Sequence, residues 1–503
     1  MQLIIPMSGT GQRFIDTGYT DPKPLIGVDG RPMIEHVLNL FPGIKDVVFI
    51  CNEDHLANTN MREVLVGLCP TGKIMSIAPH KLGPVYAVMQ AEALLSDEET
   101  IVSYCDYGTK WDFPAFIRQA EGMDGSIACY KGFHPHMLGS DNYAFCQTQG
   151  LVLTDIQEKK PFTSDRMSEY ASNGTYYFGK GILKKYFQES LDIGNCLNGE
   201  FYVSLVYKLM LRDSLKISVF EIEKMLQWGT PRDLEIYQDW SNHFSTVTVD
   251  DERIYDMTLL MPMAGRGSRF NKLTNVSKPL IPVDGIPMAA KAIQCLPKTS
   301  KQILICLDED MIALTDLFNY CTDAELISIP ETTDGQACTC QIGLRDVDPE
   351  TPILISACDN GVVYNPHLWL ELFEGETDVI IWSFRNSQSS KNSPDSYSWL
   401  GVENDEVTEV WCKKFPFDDP MRCHAIIGTM FFRKAEYFTT AFEENVRLNR
   451  RTNNEFYVDD VIEPCIASGL KVRVFEADRY VCWGTPEDYQ TYNYWSDYFK
   501  NKQ

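Results

Sequence analysis

Two loops in this chain carry residues suited to handling phosphates. Ser8-Gly9-Thr-Gly11-Gln-Arg13-Phe follows an apolar, strand-like run, and Ala264-Gly265-Arg-Gly267-Ser-Arg269-Phe repeats it in the second half. Glycines there let backbone N–H groups approach phosphate oxygens with no Cβ in the way. The pattern is neither GxGxxG, since Arg stands where the third glycine would be, nor GxxxxGK[ST]. A single GxGxR is equally the tight turn of a strand-to-helix junction. What favours phosphate chemistry is a Lys-Pro-Leu nine or ten residues on, at Lys23 and again at Lys278, each with Val-Asp-Gly-x-Pro-Met close behind. Arg and Lys together can neutralise a polyphosphate and a transition state that gathers charge on it.

These residues resemble the opening signature of the sugar-phosphate nucleotidylyltransferases, or NDP-sugar pyrophosphorylases: GxGxR(L/F), a short gap, then KPLxPVxxxPM. The resemblance spans both halves. It implies a tandem duplication of a Rossmann-like GT-A nucleotidyltransferase domain, and a reaction of an NTP with a sugar 1-phosphate, or a similar phosphorylated metabolite, giving an NDP-linked product and pyrophosphate. It further implies that Asp106 and Asp359, which close the apolar runs IVSYC and ILISAC, bind Mg²⁺ or Mn²⁺. A hard oxygen ligand suits Mg²⁺, which is usually held by one or two carboxylates together with substrate phosphates. An aspartate capping the turn after a strand is the plainer alternative.

By the same resemblance, Ser8, Gly9 and Gly11 with Ala264, Gly265 and Gly267 hold the nucleotide, and Gly83 and Gly335, each opening a helix, meet the base through backbone contacts. Glu158-Lys159 matches a segment whose lysine meets the sugar phosphate, and Asn173-Gly174-Thr-Tyr matches a strand at the sugar. Glu200 and Glu455 fall where a glutamate binds a sugar hydroxyl, although a helical surface Glu is the alternative. The second copy departs from this pattern: Lys413 survives, but Cys412 and Ile427 replace the Glu and Asn. Its acceptor should therefore differ, or its activity is lost. Many relatives also carry an Asp two residues before the late Gly-Thr; here those positions are Gln227 and Cys482. Either one Asp and the phosphates hold the metal, or Asp233 and Asp488 substitute.

The expected chemistry is in-line attack on the α-phosphorus, with charge compensation by Arg13, Lys23 and Lys159 in one copy and by Arg269, Lys278 and Lys413 in the other. The main rival is a second copy that binds nucleotide-sugars without turnover. A glycosyltransferase would want a DxD motif where the sequence offers Cys-Asp106-Tyr and Cys-Asp359-Asn. Among nucleotides, the lean is toward CTP or UTP. The acceptor implied by the resemblance is a sugar or polyol phosphate.

The elements that must position these residues recur with them. Ser103-Tyr-Cys-Asp106 answers Ser356-Ala-Cys-Asp359, Asn198-Gly-Glu-Phe-Tyr-Val203 answers Asn453-Asn-Glu-Phe-Tyr-Val458, and Gln227-Trp-Gly-Thr-Pro231 answers Cys482-Trp-Gly-Thr-Pro486, all at nearly constant offset. Each half is then one domain, 1–248 and 255–503, with the junction in the polar stretch Thr246–Asp256, and the two are expected to pack as a pseudo-dimer. Buried apolar runs at Leu3–Pro6, Val47–Cys51, Ile74–Ala78 and Ile101–Cys105 alternate with helix-like stretches, and the second half repeats them. This predicts an α/β fold with a mixed, mainly parallel sheet and helices on both faces. Ligands in such sheets gather beyond the carboxyl ends of the strands. Gly125–Tyr130 and Val379–Phe384 read as a later, mixed insertion capping that edge.

Composition limits the partners. With 45 Lys and Arg against 70 Asp and Glu, the net charge of −25 repels a polyanionic backbone, so nucleic acid is not expected. The start lacks a basic n-region and a long apolar h-region, and no apolar run approaches the roughly 18 residues of a membrane span, so a cytoplasmic location is expected, with no membrane partner. Sixteen cysteines without a CxxC pair read as reduced core residues.

Overall fold

A computed structural model describes residues 1–139, 141–246, 251–321 and 324–500. The domain boundary read at residue 248, inside Thr246–Asp256, lies outside the described residues. Contacts divide the chain into a first unit built on Met1–Ser245 and a second built on Thr246–Asp497.

The first unit contains a nine-stranded sheet of β1 (Gln2–Met7), β2 (Asp46–Asn52), β3 (Lys73–Ile77), β4 (Thr100–Ser103), β5 (Gly125–Tyr130), β6 (Ala144–Gln149), β7 (Val152–Glu158), β8 (Tyr170–Phe178) and β9 (Ile217–Glu221), in the order β3-β2-β1-β4-β8-β5-β9-β7-β6. Strands β1 to β4 pair in parallel. Strand β8 runs antiparallel against β4 and β5, while β5 and β9 are parallel.

The second unit repeats this arrangement with β10 (Ile254–Pro262), β11 (Lys298–Leu307), β12 (Ala324–Ile329), β13 (Ile353–Ile355), β14 (Val379–Phe384), β15 (Trp399–Glu403), β16 (Glu406–Trp411), β17 (His424–Phe432) and β18 (Val472–Glu476). Their order is β12-β11-β10-β13-β17-β14-β18-β16-β15. Adding nine to each strand number converts one order into the other, so the sequence repeat is a repeat of topology.

Continuous apolar strands form here because both sheet faces are covered. Leu3, Ile5 and Met7 join one core with Val47 and Phe49, while Ile4 joins the opposite core with Val48 and Ile50. Helix Met33–Leu38 closes the first face with Ile34 and Val37, and helix Pro84–Gln90 closes the second with Val85 and Val88. Each such side chain contributes about 1.5–3 kcal/mol when fully buried.

Two expectations change in detail. Strand β5 lies inside the main sheet between β8 and β9 instead of capping its edge. All six of its residues are buried, which a cap with one face in solvent would not allow. Strand β4 ends at Ser103, so Asp106 sits in the turn before the short strand Tyr107–Lys110, which pairs with Lys224–Gln227 in antiparallel register. Asn360–Val363 and Arg479–Cys482 form the same ribbon in the second unit.

The turn after β5 carries a pH-sensitive group. His134 is 3% exposed, its ring 4.5 Å from that of Tyr130. Burial pushes its pKa down to about 4, with Lys224 acting in the same direction and the Gly132 carbonyl opposing both. The unfolded chain restores a value near 6.5, so protonation favours unfolding. The stabilisation is fully present above about pH 6.5 and is lost as pH falls toward 4, at most about 3 kcal/mol. Thermal melts of the protein across that window should show falling stability, and His134→Gln should flatten the slope.

Candidate active site

Lys23 begins a single helical turn, Lys23–Leu25, after the glycine loop. Its ammonium donates to Asp106 Oδ2 at 2.5 Å and to the Gly229 carbonyl at 2.7 Å. The glycine loop seats this lysine directly. Gly11 is left-handed at φ +69°, and a Cβ there would lie 3.5 Å from Lys23 Cβ; at Gly267, φ +59°, it would lie 2.8 Å from Lys278 Cβ. Gly9 and Gly265 face open space.

A cavity of about 320 Å³ in the first unit is lined by Arg13, Lys23, Asp106, Glu158, Lys159, Asn173, Gly174 and Glu200. The structure thus brings together residues drawn from loops far apart in sequence. Lys159 follows β7 in the left-handed region at φ +56°, as Lys413 does at +51° after β16. A non-glycine residue there costs on the order of 1 kcal/mol and persists where the surroundings impose it. Lys159 Nζ donates to Tyr202 Oη at 2.5 Å, and Tyr202 Oη donates to Glu200 Oε2 at 2.6 Å. Glu158 accepts from Ser204 Oγ at 2.6 Å. Burial pushes its carboxyl above the ordinary value, against the Ser204 hydroxyl and the Lys159 charge. Asn173 donates to Thr109 Oγ1 at 3.0 Å and accepts from the Thr175 amide at 2.9 Å, which fixes which way its amide points.

Glu200 stands on a tight turn, not a helix. Asn198 and Gly199 are both left-handed, and Leu197 and Glu200 exchange backbone hydrogen bonds at 3.0 Å, the geometry of a two-residue hairpin turn. Asn453 and Asn454 build the same turn before Glu455, whose side chain is exposed.

Ser8 and Gly83 are not among the residues lining this cavity, although Gly83 abuts the backbone between Glu200 and Tyr202, which are. Gly83, at φ +86°, opens helix Pro84–Gln90 against the backbone of Phe201, where a Cβ would come within 2.7 Å; at Gly335 the distance to Phe456 is 2.5 Å. These glycines hold the turn that bears Glu200 or Glu455. Ser8 is 4% exposed, its Oγ 3.1 Å from His80 Nε2. Since the Leu82 amide donates to His80 Nδ1, the neutral ring carries its proton on Nε2 and donates to Ser8. Ala264 removes this bond from the second unit.

In the second unit Lys278 Nζ donates to Asp359 Oδ2 at 2.5 Å. Burial alone would raise the Asp359 pKa, but Lys278 and Arg269 hold it below the ordinary value. Lys413 Nζ donates to the Ser396 carbonyl at 2.9 Å and stands 5.6 Å from the Tyr457 ring centre, as Lys159 stands 4.5 Å from that of Tyr202.

The donor sets beside the two aspartates differ. Gln227 reaches the neighbourhood of Asp106: a Cβ on Gly229 would lie 3.2 Å from Gln227 Nε2 and 3.3 Å from Asp106 Oδ2. Asp106 Oδ2 is a hard donor of the kind Mg²⁺ accepts, and the Gln227 atom nearest that place is its amide nitrogen. In the second unit Cys482 takes that place, and burial, reinforced by Asp488 and Asp359, keeps its thiol protonated, which offers Mg²⁺ little. Asp233 and Asp488 each accept from their own Thr-Pro motif, Thr230 Oγ1 at 2.6 Å and Thr485 Oγ1 at 2.8 Å. Among the described residues no three His, Cys, Asp or Glu side chains are grouped to hold a metal ion. In the first unit Asp106 offers a cation a hard oxygen donor on the cavity wall.

Sequence reasoning passed over the wall formed by Trp228-Gly229. Gly229 takes the Lys23 hydrogen bond, and Trp228 packs where a Cβ on Gly108 would lie 2.8 Å from its ring. The signal was present in the Trp-Gly-Thr-Pro repeated in both halves.

Residues 3–207 match the family model described as nucleotidyl transferase. Residues 3–207, within the first unit, carry that family's sequence pattern. The chain is similar to the bifunctional protein GlmU of Clostridioides difficile (strain 630), with 25% identity over 230 residues, covering 43% of this chain and 46% of that protein. It is similar also to GlmU of Syntrophomonas wolfei subsp. wolfei, with 25% identity over 206 residues, covering 40% of this chain and 43% of that one. The chain thus spans about half the length of the curated relatives it matches. Among solved structures, the nucleoside-diphosphate-sugar pyrophosphorylase of Vibrio cholerae RC9 matches with 21% identity and a TM-score of 0.40, over 47% of this chain and 99% of that one. The inositol-1-phosphate CTP transferase of T. maritima matches with 17% identity and a TM-score of 0.38, over 49% and 98%. Among the described residues no helix is long and apolar enough to cross a membrane.

Proposed function

We propose that the nucleotidyl transferase domain moves a nucleoside monophosphate from an NTP to a sugar 1-phosphate or similar phosphorylated metabolite, and that the second domain runs the same reaction on a different acceptor. The observation that carries this reading is the convergence of Arg13, Lys23, Asp106 and Lys159 on one cavity of about 320 Å³. An acceptor phosphate is already nucleophilic at neutral pH, so no general base is required. Its oxygen attacks the α-phosphorus, a P–O bond forms, and the bond to the bridging oxygen breaks with its electron pair leaving on pyrophosphate. Lys159 holds the incoming phosphate, while Arg13 and Lys23 meet charge on the triphosphate. Bound at Asp106 beside Gln227, Mg²⁺ would neutralise further phosphate charge. Glu158, Asn173 and Glu200 orient the rest of the acceptor.

Pyrophosphate release from each of the four NTPs, tried first with CTP and UTP, against a panel of sugar, polyol and amino-alcohol phosphates tests this reading. Wild type should turn over two sets of pairs, Asp106→Asn should lose one set and Asp359→Asn the other. Silence with every pair would overturn the enzyme reading. A second domain that binds without turnover is favoured by the Cys482 thiol beside Asp359, and an Asp359→Asn protein with unchanged turnover would establish it.

A further inference from the structure

In the first domain Glu158 precedes the left-handed Lys159, accepts a hydrogen bond from Ser204 at 2.6 Å, and pairs across the sheet with Ala144. The second domain has Cys412, Asp459 and Ser398 at the three equivalent places. Cys412 precedes Lys413, Asp459 follows Phe456-Tyr-Val458 as Ser204 follows Phe201-Tyr-Val203, and Ser398 precedes Trp399, which pairs with Trp411 as Phe145 pairs with Gln157. Ser398 Oγ donates to Asp459 Oδ2 at 2.5 Å, and the Lys413 amide donates to Ser398 Oγ at 3.3 Å. Each domain therefore keeps a carboxylate bonded to a hydroxyl beside its left-handed lysine, but the side chains have traded places, and the second domain adds Asp460, which accepts from Thr452 Oγ1 at 3.1 Å.

Decay of an unused site does not explain this trade. Asp459 is only 9% exposed, and burying a carboxylate is costly unless something repays its lost hydration. Simple loss of the glutamate at Cys412 would not by itself have placed an acid at Asp459. The surrounding wall has changed too. Gly174 lies against the Tyr104 ring, where a Cβ would be 3.0 Å away, whereas the nearest atom to a Cβ on Gly428 is Ala357 Cβ at 3.8 Å. With Asn173 replaced by Ile427, this side is less polar and roomier.

We propose that Asp459 is the acceptor-binding carboxylate of the second domain, which takes a phosphorylated acceptor presenting a hydroxyl or ammonium donor to Asp459 and an apolar group toward Ile427. This rests on the reading of the second domain as a transferase. The same chemistry is met from a different element: Asp459 approaches from a helical turn where Glu158 approaches from a strand, so the donor it meets lies elsewhere on the acceptor.

The test uses the full chain carrying Asp106→Asn, with pyrophosphate release followed over the NTP and acceptor panel. Asp459→Asn, close to isosteric, should raise the acceptor KM at least tenfold with the NTP KM unchanged. The triple variant Ser398→Ala/Cys412→Glu/Asp459→Ser copies the first domain's arrangement and should move acceptor preference toward that of the first domain. Absence of any turnover in the Asp106→Asn background overturns both the second transferase and the proposal. Turnover with an unchanged acceptor KM in Asp459→Asn overturns the proposal alone. If Asp459→Asn fails to fold, the triple variant decides: no shift in preference overturns it.

Discussion

Replacing Lys23 by methionine should lower kcat of the first domain by about 10³, equivalent to about 4 kcal/mol of transition-state stabilisation. The lysine is 18% exposed, and its partner Asp106 is 26% exposed. In a site so enclosed, a cation aimed at developing phosphate charge is worth far more than in water. The same substitution frees Asp106 Oδ2 from its 2.5 Å ion pair, so less Mg²⁺ should be needed for half-maximal residual activity. Steady-state pyrophosphate release across a Mg²⁺ titration reads both quantities. A fall in kcat without a change in the Mg²⁺ requirement would separate the two roles, and an unchanged kcat would reduce Lys23 to a structural ion pair.

Gly83→Ala and Gly335→Ala should each destabilise their domain by about 2–4 kcal/mol, because they add a left-handed strain to an overlap with backbone. The added Cβ would lie 2.7 Å from Phe201 N and 2.5 Å from Phe456 N. Neither backbone can retreat freely: Val85 N donates to the Phe201 carbonyl at 3.1 Å, and Ala337 N to the Phe456 carbonyl at 3.0 Å. Melting temperatures should fall by roughly 5–10 °C. Acceptor KM should rise as well in Gly83→Ala, since the displaced turn bears Glu200. Gly9→Ala gives the contrast: open space surrounds the added methyl, so stability should hold while NTP binding weakens.

Much of this was legible because the chain is written twice. One GxGxR loop is ambiguous, but two with matching Lys-Pro-Leu segments marked Lys23 and Lys278, and the structure closes each onto its aspartate at 2.5 Å. Alternation of apolar runs gave the α/β class, since strands buried on both faces have no polar face to show. Periodicity could not place β5 within the sheet, because strand order depends on pairings between distant segments. Periodicity does not show the turn under Glu200, which depends on Asn198 and Gly199 adopting positive φ. The exchange of Glu158 for Asp459 was hidden for a simpler reason. A comparison made one position at a time records a glutamate lost at Cys412 and an unrelated aspartate gained farther on.

The glycine at the head of helix Pro84–Gln90 also has a thermodynamic consequence. Its loop and the turn bearing Glu200 are hydrogen-bonded to each other, Phe201 N to the Leu82 carbonyl at 2.9 Å and Val85 N to the Phe201 carbonyl at 3.1 Å. A nucleotide that repositions the loop must reposition the turn. Any such coupling is reciprocal: whatever factor the nucleotide adds to acceptor affinity, the acceptor returns to the nucleotide. A molecule that spans both subsites would collect that factor within one binding event.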